Sequence, residues 1–189
     1  MKQLMNDNAQ QQKILLQEHL SNVSSKILSS SFRFNLTPDA SRDPQKPLYS
    51  IGATAEEFFA MQVLCRNVKK LFKITMSSRH EILSQLKMLL REDKSRYYII
   101  RTDVCHCFES IPHDKLFEYL EGNNLLDVKS KSLLRGLIRN EFETKNLRPL
   151  ISTKKTGIPR GCAISSLLSE FYLSKIDELL RHTLPGIVF

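Results

Sequence analysis

Tyr97-Tyr98-Ile99-Ile100-Arg101-Thr102-Asp103-Val104-Cys105-His106-Cys107-Phe108-Glu109-Ser110-Ile111-Pro112 is the stretch from which the rest of the chain is read. Residues 96–102 are rich in aromatic and β-branched types, a composition that predicts a buried strand ending at Asp103. An acid at the end of an apolar strand either holds something or is solvated. Asp103 therefore caps a turn or serves as a ligand for a hard cation, because Mg2+ prefers carboxylate oxygen and keeps waters for substrate phosphates. Phe108 lies five residues on. It either packs in the core or sets its ring beside whatever Asp103 holds. Pro112 suits the first turn of a helix, for which Leu116, Tyr119 and Leu120 supply an apolar face.

The second informative stretch is Thr156-Gly157-Ile158-Pro159-Arg160-Gly161-Cys162-Ala163-Ile164-Ser165-Ser166-Leu167-Leu168-Ser169-Glu170-Phe171-Tyr172-Leu173. Two glycines around Pro-Arg permit close backbone approach to a ligand before a helix begins. Ser165 or Ser166 is the expected cap of that helix, whose apolar residues are Leu167, Leu168, Phe171, Ile176 and Leu179. Between the two stretches another helix is predicted over 129–141. Residues 144–160 are rich in Thr, Lys, Asn, Pro and Gly and read as loop.

Upstream, Leu16, Leu20, Val23 and Ile27 form one helical stripe within 11–28. Phe32-Arg33-Phe34-Asn35-Leu36 alternates like a strand, and Leu48-Tyr49-Ser50-Ile51 can return as its partner around a proline-rich, basic loop. Thr54-Ala55-Glu56-Glu57 is a capping box, and Ser78 with Glu81 repeats the device. Helices are thus expected over 55–73, with Phe58, Met61, Cys65, Val68 and Phe72 inward, and over 79–91, with Ile82, Leu86 and Leu89 inward.

The whole composition sets the frame. With 189 residues, 41% hydrophobic and 25% charged, the chain is an ordinary globular one, not disordered, collagen-like or low-complexity. Its apolar runs are far shorter than the roughly 20 residues of a spanning helix, so no membrane partner is expected. The polar start, Met1 to Gln12, gives no reason to expect a secretory signal. Four cysteines make no disulfide framework, and a reducing, cytoplasmic location is the default. The net charge of +8, from 28 Lys+Arg and 20 Asp+Glu, suggests a polyanionic partner. Three clusters carry it: Arg66, Lys69, Lys70 and Lys73; Lys129, Lys131, Arg135 and Arg139; Lys154, Lys155 and Arg160. Each is alternatively a solvated face.

Taken together, the two stretches resemble motifs A and B of reverse transcriptases. Asp103, Phe108 and Ile111-Pro112-His113 match motif A in order and spacing. Gly157-Ile158-Pro159, Gly161 and Ser165 to Leu168 match motif B. The resemblance is specific across 97–113 and 156–177 and loose across 32–96, where Lys46-Pro47-Leu48 looks like diverged fingers. It implies an α+β, helix-rich fold with the fingers and partial palm of a right-hand polymerase. The implied divisions are an N-terminal helical extension over 1–30, fingers over 31–96, palm over 97–120, a connection over 121–155 and palm again over 156–189. It further implies Mg2+-dependent transfer of dNTPs onto a primer on an RNA or DNA template. Asp103 and the Val104 carbonyl would hold the two metal ions. His106, Cys107 and Phe108 would border the incoming nucleotide, with Arg33 and Lys46 reaching its triphosphate. Gly157, Pro159, Arg160 and Gly161 would border the nascent pair.

Two departures shape the expectation. Arg160 stands where motif B usually has Gln, similar to bacterial abortive-infection and other defence-associated reverse transcriptases, some of which extend DNA without a template, and less similar to retroviral or group II intron enzymes. Motif C, an aromatic-x-Asp-Asp hairpin, is not found before Phe189, where Gly186-Ile187-Val188-Phe189 looks like the start of its strand. No sequence remains for a thumb. The stretch alone is therefore expected to be inactive, with an open apolar edge that favours self-association into a homo-oligomer. A catalytically inactive palm that only binds nucleic acid is the alternative.

Overall fold

The capping boxes determine where the helices begin and which way they face. A computed structural model of the chain describes residues 2–39, 48–76, 78–92, 102–122, 125–139 and 155–183. Along these run α1 (Lys2–Leu28), β1 (Thr37–Asp39), β2 (Leu48–Ser50), α2 (Ala55–Leu71), α3 (Arg79–Glu92), α4 (Cys107–Ser110), α5 (His113–Glu121), α6 (Val128–Arg139) and α7 (Ala163–Thr183). The fold is helix-rich, as expected of partial fingers and palm, and among the described residues the sheet is a single antiparallel pair, with Pro38 opposite Tyr49.

At the start of α2 the Thr54 hydroxyl accepts the Glu57 amide at 3.2 Å, and Glu57 Oε2 accepts the Thr54 amide at 3.3 Å. Glu57 does more than cap. Its Oε1 accepts the Asn35 amide at 2.7 Å, and the side chain is buried. This explains two differences from the sequence expectation. The Phe32–Leu36 segment keeps its alternation, with Phe34 and Leu36 buried, but the Asn35 amide goes to a carboxylate instead of a strand. The ladder starts one residue later, at Thr37. The buried face of α2 is also turned. Glu57 points inward and Phe58 sits about 100° further round, so Phe58 is 51% exposed and stacks on Phe59, while Leu64 takes the inward place.

One hydrophobic core joins α2, α5, α6 and α7, with Val68, Leu116, Ile138 and Leu168 fully or nearly fully buried. Helices α2 and α7 pack together, and the Phe72 and Phe171 rings meet at 4.5 Å. The predicted helix over 129–141 is α6, whose first turn is capped by Asp127 Oδ1 accepting the Ser130 amide at 2.9 Å. In α5, Leu116 and Leu120 are buried, and Tyr119 packs on Tyr172 at 5.9 Å.

Several predicted faces are only partly used. The α1 stripe docks through Val23 and Ile27, whereas Leu16 and Leu20 stay largely exposed. The second box forms at α3, with Glu81 Oε2 accepting the Ser78 amide at 2.6 Å. No α3 residue is buried, and Ile82, Leu86 and Leu89 are not covered by described residues. In α7, Leu167, Leu168 and Phe171 are buried, whereas Ile176 and Leu179 are exposed. That helix starts at Ala163, ahead of both predicted caps, since the Ser165 hydroxyl instead reaches back to the Pro159 carbonyl at 2.5 Å. The expected strand over 96–102, apart from Thr102, the apolar centre at Leu150-Ile151 and the strand start at 186–189 lie outside the described residues. No helix among the described residues is long and apolar enough to cross a membrane, and all four cysteines are free thiols.

Candidate active site

The site is built where three segments converge: the loop from Thr102 into α4, the turn 157–162, and β2. Asp103 is exposed on the loop and makes no hydrogen bond or ion pair with the described residues. Val104 and Cys105 beside it are exposed as well. His106 then takes a left-handed conformation, φ 51° and ψ 43°, and starts α4 without a side-chain cap. Such a conformation costs a non-glycine residue roughly 1–2 kcal/mol, and here it reverses the chain so that the His106 carbonyl accepts the Glu109 and Ser110 amides, both at 3.0 Å. Phe108 is half-buried against the core edge. Burial pushes the Cys107 thiol up, and the nearby charges of Glu109 and Asp103 push it the same way.

The turn between Gly157 and Cys162 grips this segment through the backbone. The Ile158 amide donates to the Phe108 carbonyl and the Gly157 amide to the Ile111 carbonyl, each at 2.8 Å. The His113 amide donates to Lys155 at 2.8 Å, and Pro112 bridges Thr156. The buried His113 ring closes the clamp: Nε2 lies 2.6 Å from the Gly157 carbonyl, a contact that requires the ring N–H to donate. Gly157, at φ 102°, leaves only 3.3 Å between its missing Cβ and the Glu109 carbonyl.

The other end of the turn holds β2. The Tyr49 amide donates to the Arg160 carbonyl at 2.7 Å, and Cys162 Sγ contacts the Tyr49 carbonyl at 3.8 Å. A Cβ on Gly161, whose φ is 90°, would lie 2.7 Å from that carbonyl. Both glycines therefore serve close approach, but to the protein's own backbone, where the sequence suggested a ligand. Pro159 is fully buried between them. Arg160 points its guanidinium back across the site, with Nη1 3.2 Å from Glu109 Oε1.

Asp103, Val104, His106, Cys107 and Phe108 thus share one loop-and-helix unit, and Gly157, Pro159, Arg160 and Gly161 are locked onto it. Arg33 is elsewhere. Its Nη1 donates to the Ser30 and Phe32 carbonyls at 2.8 and 2.9 Å, and it lines a cavity of about 290 Å³ with Lys131, Arg135 and Arg139 that includes no residue of the loop or the turn. Lys46 lies outside the described residues. Sequence reasoning assigned no role to Glu109, His113 or Tyr49. The signal available for Glu109 was an acid next to Phe108 matched by the unusual base at Arg160.

The basic clusters also separate. On α6, Lys129 Nζ donates to Ser29 at 2.6 Å, Arg135 pairs with both oxygens of Glu121, and Arg139 lies over the Phe117 ring. Arg66, Lys69, Lys70 and Lys73 are exposed and have no hydrogen-bonding or ion-pair partner through their side chains among the described residues. As for a metal, the described residues hold no group of three or more His, Cys, Asp or Glu side chains able to bind one. Asp103 nevertheless fits a hard divalent cation: it is an oxygen donor, exposed, with no competing partner among the described residues.

The family model described as reverse transcriptase (RNA-dependent DNA polymerase) matches residues 51–189, which include the loop from Thr102 and the 157–162 turn and begin one residue after β2. An uncharacterized 91 kDa protein in the cob intron of Schizosaccharomyces pombe is 26% identical over 183 residues, covering 85% of this chain and 21% of its own length. A protein of Saccharomyces cerevisiae named for COX1/OXI3 intron 2 is 32% identical over 85 residues, covering 45% of this chain and 10% of its own. The chain spans about a fifth of the first relative and a tenth of the second. With the family model covering most of the chain and both matched motifs, the chain belongs to the reverse transcriptase (RNA-dependent DNA polymerase) family.

Proposed function

We propose that the chain forms the fingers and palm of an RNA-directed DNA polymerase, adding dNTPs to a primer with Mg2+ as cofactor. The observation that carries this is the clamp: the 157–162 turn holds α4 and its C-cap Ile111 by two backbone hydrogen bonds and the His113 ring, while Asp103, exposed just before it, has no partner among the described residues. Asp103 and the Val104 carbonyl would hold the metal, whose role in such sites is to activate the attacking hydroxyl and neutralise the triphosphate. One carboxylate anchors such an ion and does not by itself complete a site. Phe108 would stand under the sugar and exclude a 2′-hydroxyl. The backbone at His106 and Cys107, at the first turn of α4, has amides without intrahelical acceptors to face the triphosphate. The exposed Arg66, Lys69, Lys70 and Lys73 would follow a nucleic-acid backbone, with binding that weakens as salt rises.

For the biological setting, both relatives are named for introns, against the expectation that intron enzymes are the less similar branch, and this supports an intron-borne protein. A role in bacterial anti-phage defence is the second reading. It rests on Arg160, and the pairing of Arg160 with Glu109 supplies that residue with a use that does not involve a template.

The test uses the natural protein as encoded. Wild type should incorporate labelled dNTPs on a primed RNA template in Mg2+, and Asp103→Asn should abolish incorporation with its unfolding free energy unchanged within about 0.5 kcal/mol. Retained activity in the variant would falsify the role of Asp103. An inactive wild type that still binds single-stranded nucleic acid in a salt-dependent way would establish the inactive binding module instead.

A further inference from the structure

We propose that Arg160 is a positioning residue for sugar selection, acting through Glu109 to hold the α4 segment that presents Phe108; this rests on the polymerase reading above. Helix α4 has four residues, begins on a left-handed His106 and lacks a side-chain cap. A single turn has no stability of its own, so its place is set by what grips it. Among the described residues, the 157–162 turn supplies three grips, beside the contact of α4 with α7. The Ile158 amide holds the Phe108 carbonyl at 2.8 Å. Gly157 packs against the Glu109 backbone, with 3.3 Å from its Cβ position to the carbonyl. The Arg160 guanidinium holds the Glu109 side chain at 3.2 Å.

The first two grips are backbone contacts. The third depends on side-chain charge and can vary with sequence. Without it the Glu109 carboxylate is no longer held to the turn, and the residue preceding it, Phe108, loses one of its constraints. The pair is partly exposed, at 36% and 38%, so its effect is modest and falls on precision of placement rather than on folding.

The experiment compares four forms of the natural protein: wild type, Arg160→Met, Glu109→Gln and the double variant. The readout is the ratio of kcat/KM for a dNTP to that for the matching rNTP. Each single variant should lower the ratio roughly three- to five-fold, with its urea midpoint unchanged. The double variant should be no worse than either single one, because both remove the same contact. Arg160→Lys should keep most of the discrimination. Unchanged ratios, or losses that multiply in the double variant, would overturn the proposal. So would an effect of Arg160→Met on template dependence alone, which would place the guanidinium on the template. A wild type that discriminates normally while the variants do the same refutes only this inference. A wild type without polymerase activity refutes the polymerase reading, and this inference with it.

Discussion

Gly161→Ala should destabilise the fold by about 2.5 kcal/mol, within a range of roughly 2–3 kcal/mol. Two effects add. Gly161 has φ 90°, a conformation that costs an L-residue roughly 1–2 kcal/mol. The new Cβ would also stand 2.7 Å from the Tyr49 carbonyl and 3.3 Å from the Tyr49 amide. Both atoms are backbone and cannot rotate aside, so β2 must move off the turn. That movement weakens the Tyr49 amide bond to the Arg160 carbonyl, now 2.7 Å, at a further cost of about 1 kcal/mol. Gly52→Ala is the internal control. Its φ is 104°, but its Cβ would meet only the Phe58 Cα at 4.0 Å, an ordinary contact. It should therefore cost only the conformational part, roughly 1–2 kcal/mol. Urea unfolding of the three forms, read as the difference between the two variants, isolates the close approach. For a chain of this size the Gly161 variant should also melt about 4–12 °C lower. Equal costs for both variants, or a Gly161→Ala cost below about 1 kcal/mol, would refute the docking of β2 on the turn.

Phe108→Val should admit ribonucleotides in the natural protein, at a stability cost of about 1–2 kcal/mol since the ring is half-buried at the core edge; unchanged discrimination between dNTP and rNTP would remove Phe108 from the sugar site. Glu57→Ala should cost roughly 2–4 kcal/mol by urea unfolding, because the Asn35 and Thr54 amides both lose a carboxylate acceptor, and a loss under about 1 kcal/mol would contradict that role. Burial pushes the Cys65 and Cys162 thiols from 9.0 up to about 11. The folded state then keeps these protons longer than the unfolded one, so their contribution is full below about pH 9 and is lost as pH rises toward about 11. Under reducing conditions the urea midpoint should fall across that window, and less steeply in Cys65→Ala; identical slopes would show that the Cys65 thiol is not so protected.

Helix positions were legible in the sequence because their signals are local. Thr54 and Glu57 are three residues apart, as are Ser78 and Glu81, and both boxes form at the helix starts they predict. The order Asp103, Phe108, Pro112, Gly157, Gly161 was likewise enough to recognise the family. Facing and partnership were not legible, because they depend on residues far apart in the chain. Phe58 is turned outward by the amide of Asn35, and Ser165 is drawn to the Pro159 carbonyl instead of capping α7. Arg33 reads as a fingers cation, but its guanidinium is held by Ser30 and Phe32 in a cavity against α6. The sequence by itself determined the family, the helix starts and the need for two unhindered glycines in the turn. Only the tertiary structure decided what those glycines approach and what Arg160 faces, since 51 residues separate Arg160 from Glu109 and 44 separate Gly157 from His113. No periodicity or local propensity encodes such a pairing; the packing of β2 and α4 on the turn does.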